Sequence, residues 1–321
     1  MSLADAAGCA RLLDGAIQPG PSSWRRRVPM SDALRFAHPR DYVTALALDL
    51  MVLPPHFRSA RHCRHCASAS PPRDSTVGDD GRHFVTCPYG SRLVSTCHDP
   101  VRDALVALLD SVLRPCDVIA ERPGDHGAIE RWWRRYGEGR FDHHPDIVLV
   151  GFDGPSTFTL IDVKTFDVSG RTWCSRFHTD TTPRAAHHEL ERRRTPRDYF
   201  GATGSLDPTD PLRPYVRLVT FSLSTFGSFG QPALDLLRDV GRRTSGHLPF
   251  AFADDASWAA YEFAPYARMR LSLALRRALA FSLRETACTD AEAAALRGRG
   301  APPSDPSRSF DGGAADDSDG D

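Results

Sequence analysis

Apolar and polar positions alternate along this chain with two different periods. Val101, Leu105, Leu108, Leu109 and Val112 recur at three- and four-residue spacing, which predicts an amphipathic helix from about Asp99 to Leu113 with Pro100 at its first position. Three short β-like runs follow, Asp117–Glu121, Pro145–Val150 and Thr157–Lys164, and the glycine-rich turn from Gly151 to Pro155 predicts a hairpin between the last two. Pro183 opens a second helix running through Ala186, Leu190 and Arg194 toward Tyr199, and a Gly/Asp/Pro-rich loop to Pro214 leads into a fourth strand, Tyr215–Leu223. A further helix is expected from about Pro232 to Val240. One or two more are expected over residues 256–287, although Met269, Leu271, Leu273 and Leu275 alternate as a strand would. Near the start, Asp41 is placed to cap a helix carrying Tyr42, Leu46, Ala47, Leu50 and Met51, ended by Pro54 and Pro55. The order helix, three strands, helix, strand predicts an α/β (α+β) fold with a mixed central sheet.

Composition refines this picture at the chain's ends. The 321 residues carry a formal net charge of −1, with a pI near 6.9, so the global balance does not point to a polyanionic partner. The acid is uneven: Asp305, Asp311, Asp316, Asp317, Asp319 and Asp321 sit among Gly, Ser, Pro and Ala, a composition that cannot form a core. Four segments follow: a poorly ordered lead-in over residues 1–40, a helix plus a cysteine-rich knuckle over 41–97, the α/β domain over 98–287, and a disordered acidic tail over 288–321. The longest apolar run, Tyr42–Leu53, contains Asp49 and falls short of the ~20 residues a membrane span needs, so no membrane partner is expected. An early Asp5 and the lack of a basic-then-apolar order argue against a secretory signal. The eight cysteines then suit a reducing, intracellular compartment.

Four of those cysteines lie between positions 63 and 97. Cys63-x-x-Cys66, sixteen residues, then His83-x-x-x-Cys87 offers two close pairs of thiolate and imidazole ligands, the set that tetrahedral Zn2+ takes. His62, His65, Cys97 and His98 are possible substitutes within the quartet. Cys9, Cys116, Cys174 and Cys288 read as packing or bystander residues.

Among 40 basic residues, lysine occurs only at position 164. A compact ammonium whose pKa shifts on burial is retained where a planar guanidinium would not serve. Residues two apart in a strand share a face, so Asp162 and Lys164 project together, and the hairpin partner can set Asp146 beside them. Carboxylates converging across adjacent strands hold a hard cation such as Mg2+ or Mn2+, and a lysine beside them can orient a water, which is equipment for phosphodiester hydrolysis.

Pro145-Asp146, fifteen intervening residues, then Asp162-Val163-Lys164, set after a helix and before a helix-strand pair, resembles the PD-(D/E)XK nuclease superfamily, the restriction-endonuclease-like fold. The resemblance implies that Asp146 and Asp162 bind Mg2+ and that Lys164 assists the attacking water. Many members add a further acid; Glu121 is the candidate, with Asp99 and Asp103 behind it as residues that helix capping explains equally well. The knuckle, His98-Asp99 and the acid-lysine motif together resemble the C-terminal endonuclease region of site-specific non-LTR retrotransposons, over roughly residues 41–287. Cys97 stands where an arginine commonly precedes the His-Asp pair. The stretch upstream of the knuckle, about 60 residues, is too short for a polymerase. The resemblance therefore implies a detached element fragment or a stand-alone descendant, nuclear, with DNA as partner and element RNA or a separate reverse transcriptase beside it.

For nucleic-acid contacts, the basic and aromatic loop holding Arg131, Trp132, Trp133, Arg134 and Arg135 combines phosphate-pairing guanidinium groups with stacking rings. Arg193 and Arg194 on the second helix are the other candidates, with a solvated helix face as the competing explanation. Three functions stay open: a Mg2+-dependent endonuclease, a catalytically silent zinc-containing nucleic-acid-binding module, and a junction or flap nuclease.

Overall fold

The computed structural model describes residues 36–298 with interruptions: 168–182, 245–261 except Phe252, several short gaps, and parts of 51–91. Its centre is a four-stranded sheet of β2 (Asp117–Ala120), β3 (Ile147–Val150), β4 (Phe158–Phe166) and β5 (Val216–Ser224), in that spatial order. The first three strands run antiparallel and β5 joins β4 in parallel, so the sheet is mixed as the element order predicts. The β3–β4 hairpin closes where the Gly151 amide donates to the Thr157 carbonyl at 2.8 Å, with Gly151 at φ +75°, a conformation that costs a glycine little.

Alternation splits the strands between two apolar clusters. Ile147, Leu149, Ile161, Val163, Val219 and Phe221 face the larger one, covered by α3 (Arg92–Val112) and α7 (Gln231–Arg243). Val148, Leu160 and Phe158 face the smaller one, beneath α4 (Ala128–Trp132) and α6 (Thr195–Phe200). Outside α3 and α7 lies α8 (Phe263–Thr286), which also packs on α1 (Pro39–Asp49). The strand-like alternation of Met269 to Leu275 belongs to this helix, where all four of those residues are buried because neighbours enclose it on several sides.

Several expectations shift. The helix expected from Asp99 begins at Arg92 and carries Pro100 in its interior; one missing amide is tolerated because the turns around it are held by tertiary contacts, among them His98 to Asp146. Asp41 does not cap α1. His38 Nδ1 does, accepting from the Arg40 amide at 3.2 Å, while Asp41 is buried in a two-pronged pair with Arg284 of α8. The basic, aromatic stretch taken for a loop is α4 followed by a π-helical turn, Trp133–Gly137, because Ile129 and Trp132 bury one side against the sheet. A second π turn, Leu190–Arg194, joins α5 (Pro183–Glu189) to α6.

The knuckle shares the larger core: Cys63, Cys66, Cys87 and Cys97 lie in the same cluster as Leu105 and Leu271. The segment expected to be disordered from 288 is structured at its start: β6 (Ala287–Cys288) pairs antiparallel with β1 (His62–Cys63), and α9 (Asp290–Gly298) packs on α2 (Arg64–Ala67). Buried Ala293 gives α9 an apolar contact with Ala67 and Cys288 that composition alone does not reveal. The acidic residues from Asp305 onward lie outside the described residues. No described helix is long and apolar enough to cross a membrane.

Candidate active site and metal cluster

In the antiparallel register Ile147 faces Ile161, and Asp146, just before β3, lies near enough to Asp162 for its charge to act on that carboxyl. The Asp146 amide donates to the Ile161 carbonyl at 3.1 Å, and its carboxylate Oδ2 accepts from the Val163 amide at 2.7 Å. That side chain thereby takes the place of a ladder acceptor and is fixed at the end of β3. His98, reaching from α3, places Nε2 3.1 Å from the same oxygen and Nδ1 3.0 Å from Asp99. Burial pulls the His98 imidazole toward neutrality, but the hydrogen bonds and charges of Asp146 and Asp99 outweigh it and raise its pKa to about 9.

Asp162 is 1 % exposed. Lys164 Nζ lies 2.8 Å from its Oδ2, and the Tyr199 hydroxyl lies 3.2 Å from its Oδ1 and 3.1 Å from the His144 carbonyl. Burial, together with the charge of Asp146, pushes the Asp162 carboxyl above the usual carboxylate range, while Lys164 opposes that rise. Tyr199 is fully buried and its phenol is pushed upward by burial, so it remains a donor. The strand positions Asp146, Asp162 and Lys164 as their spacing predicts. Glu121 does not join them: its carboxylate accepts from the Ile129 amide at 3.1 Å and holds the start of α4. Asp103 pairs with Arg102, away from the acids, and Asp99 touches His98 and Arg102.

Beside Lys164, its parallel partner Ser222 leads into a polar network on the same face. Ser222 Oγ is 2.7 Å from His187 Nδ1 and 3.2 Å from Glu191 Oε1, and His187 Nε2 is 2.9 Å from Ser228 Oγ. Burial lowers His187 to about 3 and raises Glu191 to about 7. A Cβ at Gly230 would stand 2.0 Å from Glu191 Oε1 and 2.1 Å from Ser222 Oγ, which is why a glycine occupies this turn. His98-Asp99, the helix with Glu191, Arg194 and Tyr199, and the Phe226-to-Gly230 turn enter the sequence reading through the resemblance, with no place beside Asp162, and His187, Ser222 and Ser228 are missed altogether. Strand periodicity cannot place Tyr199, because the helix that delivers it lies in the crossover between β4 and β5.

Cys63, Cys66, His83 and Cys87 bring one ligand atom each to within 4.8 Å of one another, the only such grouping of three or more candidate ligands among the described residues. The sulfurs of Cys63 and Cys87 are 3.5 Å apart, those of Cys66 and Cys87 3.6 Å, and Cys66 Sγ is 3.2 Å from His83 Nε2. A tetrahedron with metal–sulfur bonds of about 2.3 Å has edges of about 3.8 Å, so this cluster can hold a metal ion. Without one the thiolates oppose each other: burial and the neighbouring Cys87 lift Cys66 to about 11, and Cys63 rises further through Cys87 and burial. Of the substitutes, His62 pairs with Asp290 at 2.6 Å and His98 with Asp146, Cys97 is a buried core residue, and His65 is not part of the cluster.

The nucleic-acid candidates separate. Trp132 is 4 % exposed and stacks on Phe141 inside the smaller core, so it is not a surface contact, and Trp133 packs on His144. Arg131, Arg134, Arg135, Arg193 and Arg194 remain on the surface, with Arg131 paired to Asp125 and Arg134 to Glu130. No family model, curated protein or solved structure matches the chain.

Proposed function

We propose that this protein is a metal-dependent DNA endonuclease of the PD-(D/E)XK kind, with a restriction-endonuclease-like core and a structural Zn2+ in the Cys/His cluster. The observation that carries the reading is that Asp146, just before β3, lies close enough to Asp162 of β4 for its charge to raise that carboxyl, with the chain's only lysine 2.8 Å from Asp162. Two neighbouring carboxylates, one of them buried and pushed upward in pKa by burial and by the other's charge, form an oxygen donor set that suits a hard cation, which would share them with the Lys164 and His98 groups that pair with them here. Asp146 and Asp162 would hold Mg2+ or Mn2+, which supplies Lewis-acid polarisation of the phosphate and acidifies water when bound.

The chain's own groups then act in defined ways. The Val163 amide and His98 fix Asp146, and Tyr199 fixes Asp162. Lys164 donates a hydrogen bond that orients the attacking water. The water's oxygen bonds to phosphorus as its proton passes to solvent, the bond to the 3′ oxygen breaks, and that oxygen takes a proton from solvent, leaving 5′-phosphate and 3′-hydroxyl ends. Such ends suit extension by a reverse transcriptase, the partner implied by the retroelement resemblance. Zn2+ with four protein ligands has no open position and serves the fold.

One observation favours a second reading, a catalytically silent nucleic-acid-binding module: Glu121 is turned to Ile129, leaving two acids rather than three. Nicking of supercoiled DNA with Mg2+ decides between them. Wild type is expected to nick, with Asp146→Ala reduced at least ~100-fold and Lys164→Arg ~10-fold or more. A wild type that binds DNA and never nicks establishes the silent module.

A further inference from the structure

The sheet face that carries Asp162 continues, at the far end of the strands, into a cavity of ≈850 Å³. Phe158 at the start of β4 lines it, with Arg122, Arg131, Arg135, Tyr136 and Tyr215 around it. Phe158 and Asp162 share a face four residues apart, about 13 Å at ~3.3 Å per residue, so the cavity lies within a few nucleotides of the candidate cut site.

Its charges are unequal. Arg122 is satisfied by Asp110 at 2.7 Å and Arg131 by Asp125 at 2.6 Å, whereas Arg135 meets no acidic side chain among the described residues. The Arg135 guanidinium lies 5.1 Å from the ring centre of Tyr136, and Tyr215 is 47 % exposed. Asp125 is the one acid in a lining with three arginines. Aromatic rings next to an unneutralised guanidinium suit a flat base joined to a phosphate. The volume falls in the range of small-ligand pockets, about 300–1,000 Å³, room for unpaired nucleotides to enter.

We propose that this cavity binds an unpaired DNA strand beside the cut site, with bases stacked on Tyr215 and Tyr136 and a phosphate held by Arg135. The inference deepens the endonuclease reading and rests on it for the strand's placement. It gives the substrate a class: duplex DNA with a single-stranded segment, as at a flap, a bubble or a displaced strand.

Fluorescence anisotropy tests it with the full chain and no added divalent cation, comparing a labelled oligothymidylate with a duplex of equal length. Wild type is expected to bind the single strand at least ~10-fold more tightly. Tyr215→Ala should weaken oligothymidylate binding about 5- to 150-fold, the range of one lost base stack, Arg135→Ala should weaken it through the lost phosphate contact, and both should weaken duplex binding less. Tyr215→Phe keeps the ring and should bind as wild type does. Both side chains are exposed, so unfolding curves of the variants should match the wild type. Equal wild-type affinities for the two DNAs, or variants that lose both equally or neither, overturn the proposal. A single-strand preference in a protein that never nicks keeps the cavity and removes the nuclease; nicking by a protein whose variants still bind oligothymidylate normally does the reverse.

Discussion

At the scale of single residues, the site neighbourhood is set by where charge is expensive. Glu191 and His187 both hydrogen-bond Ser222, and burial moves both toward neutrality, so their contributions to stability change with pH in opposite directions. Glu191 rises from an ordinary value of 4.5 to about 7. The native state therefore holds a proton that the unfolded chain releases, and this contribution is full below about pH 4.5 and lost as pH rises through 7. His187 falls from 6.5 to about 3, so its contribution is full above pH 6.5 and lost as pH falls toward 3. Glu191→Gln should remove the decline between pH 4.5 and 7, which urea unfolding at several pH values will reveal as a steeper net gain in stability with pH than in wild type. An unchanged profile would mean that Glu191 does not titrate in that window. None of this was legible in the sequence. Asp162 and Lys164 were, because two-residue strand spacing fixes their common face, whereas Tyr199 and Glu191 reach the face through tertiary packing.

At the scale of elements, the hairpin, the four strands and α7 follow directly from apolar alternation and turn residues. The helical boundaries were less legible for two physical reasons. Each π turn, at Trp133–Gly137 and at Leu190–Arg194, widens the local helix and shifts the side-chain phase that a 3.6-residue pattern assumes. On α1 the buried face holds Asp41, Thr44, Ala45 and Leu48, while apolar Tyr42 and Leu50 are exposed. The arginines of α8 invert the expectation: Arg284 receives Asp41, and Arg276 pairs with Asp49 at 2 % and 1 % side-chain exposure. Arg276→Met strands the Asp49 charge and should cost about 3–5 kcal/mol, while Asp49→Leu combined with Arg276→Met should recover most of the loss. Guanidinium chloride unfolding measures both, and a double variant no more stable than the Arg276→Met single would show that the pair is not coupled.

At the scale of the whole molecule, the knuckle is part of the main core and not an appended finger, since Cys63, Cys66 and Cys87 share one apolar cluster with α3 and α8. Metal loss should then be felt beyond the loop. Zinc content of about one tightly held ion per chain is expected for the purified protein, and chelation, or Cys66→Ser, should lower the midpoint of the entire unfolding transition. Elemental analysis with thermal unfolding checks this; a chelated protein with an unchanged midpoint would reduce the cluster to a local ornament of the surface. The cysteine spacing made the four candidate ligands legible, while the setting was not, because β1 draws its partner, β6, from far along the sequence.

That partnership also bears on synthesis. His62 lies opposite Cys288, so the strand leading into Cys63 waits for its neighbour until residue 288 has left the ribosome. Early contacts between α3 and the sheet are available well before then, as are the hairpin's local pairings. The Cys/His cluster is thus flanked by strands from distant parts of the sequence, and a nascent chain halted before Ala287 would carry Cys63, Cys66, His83 and Cys87 without the strand that pairs with β1.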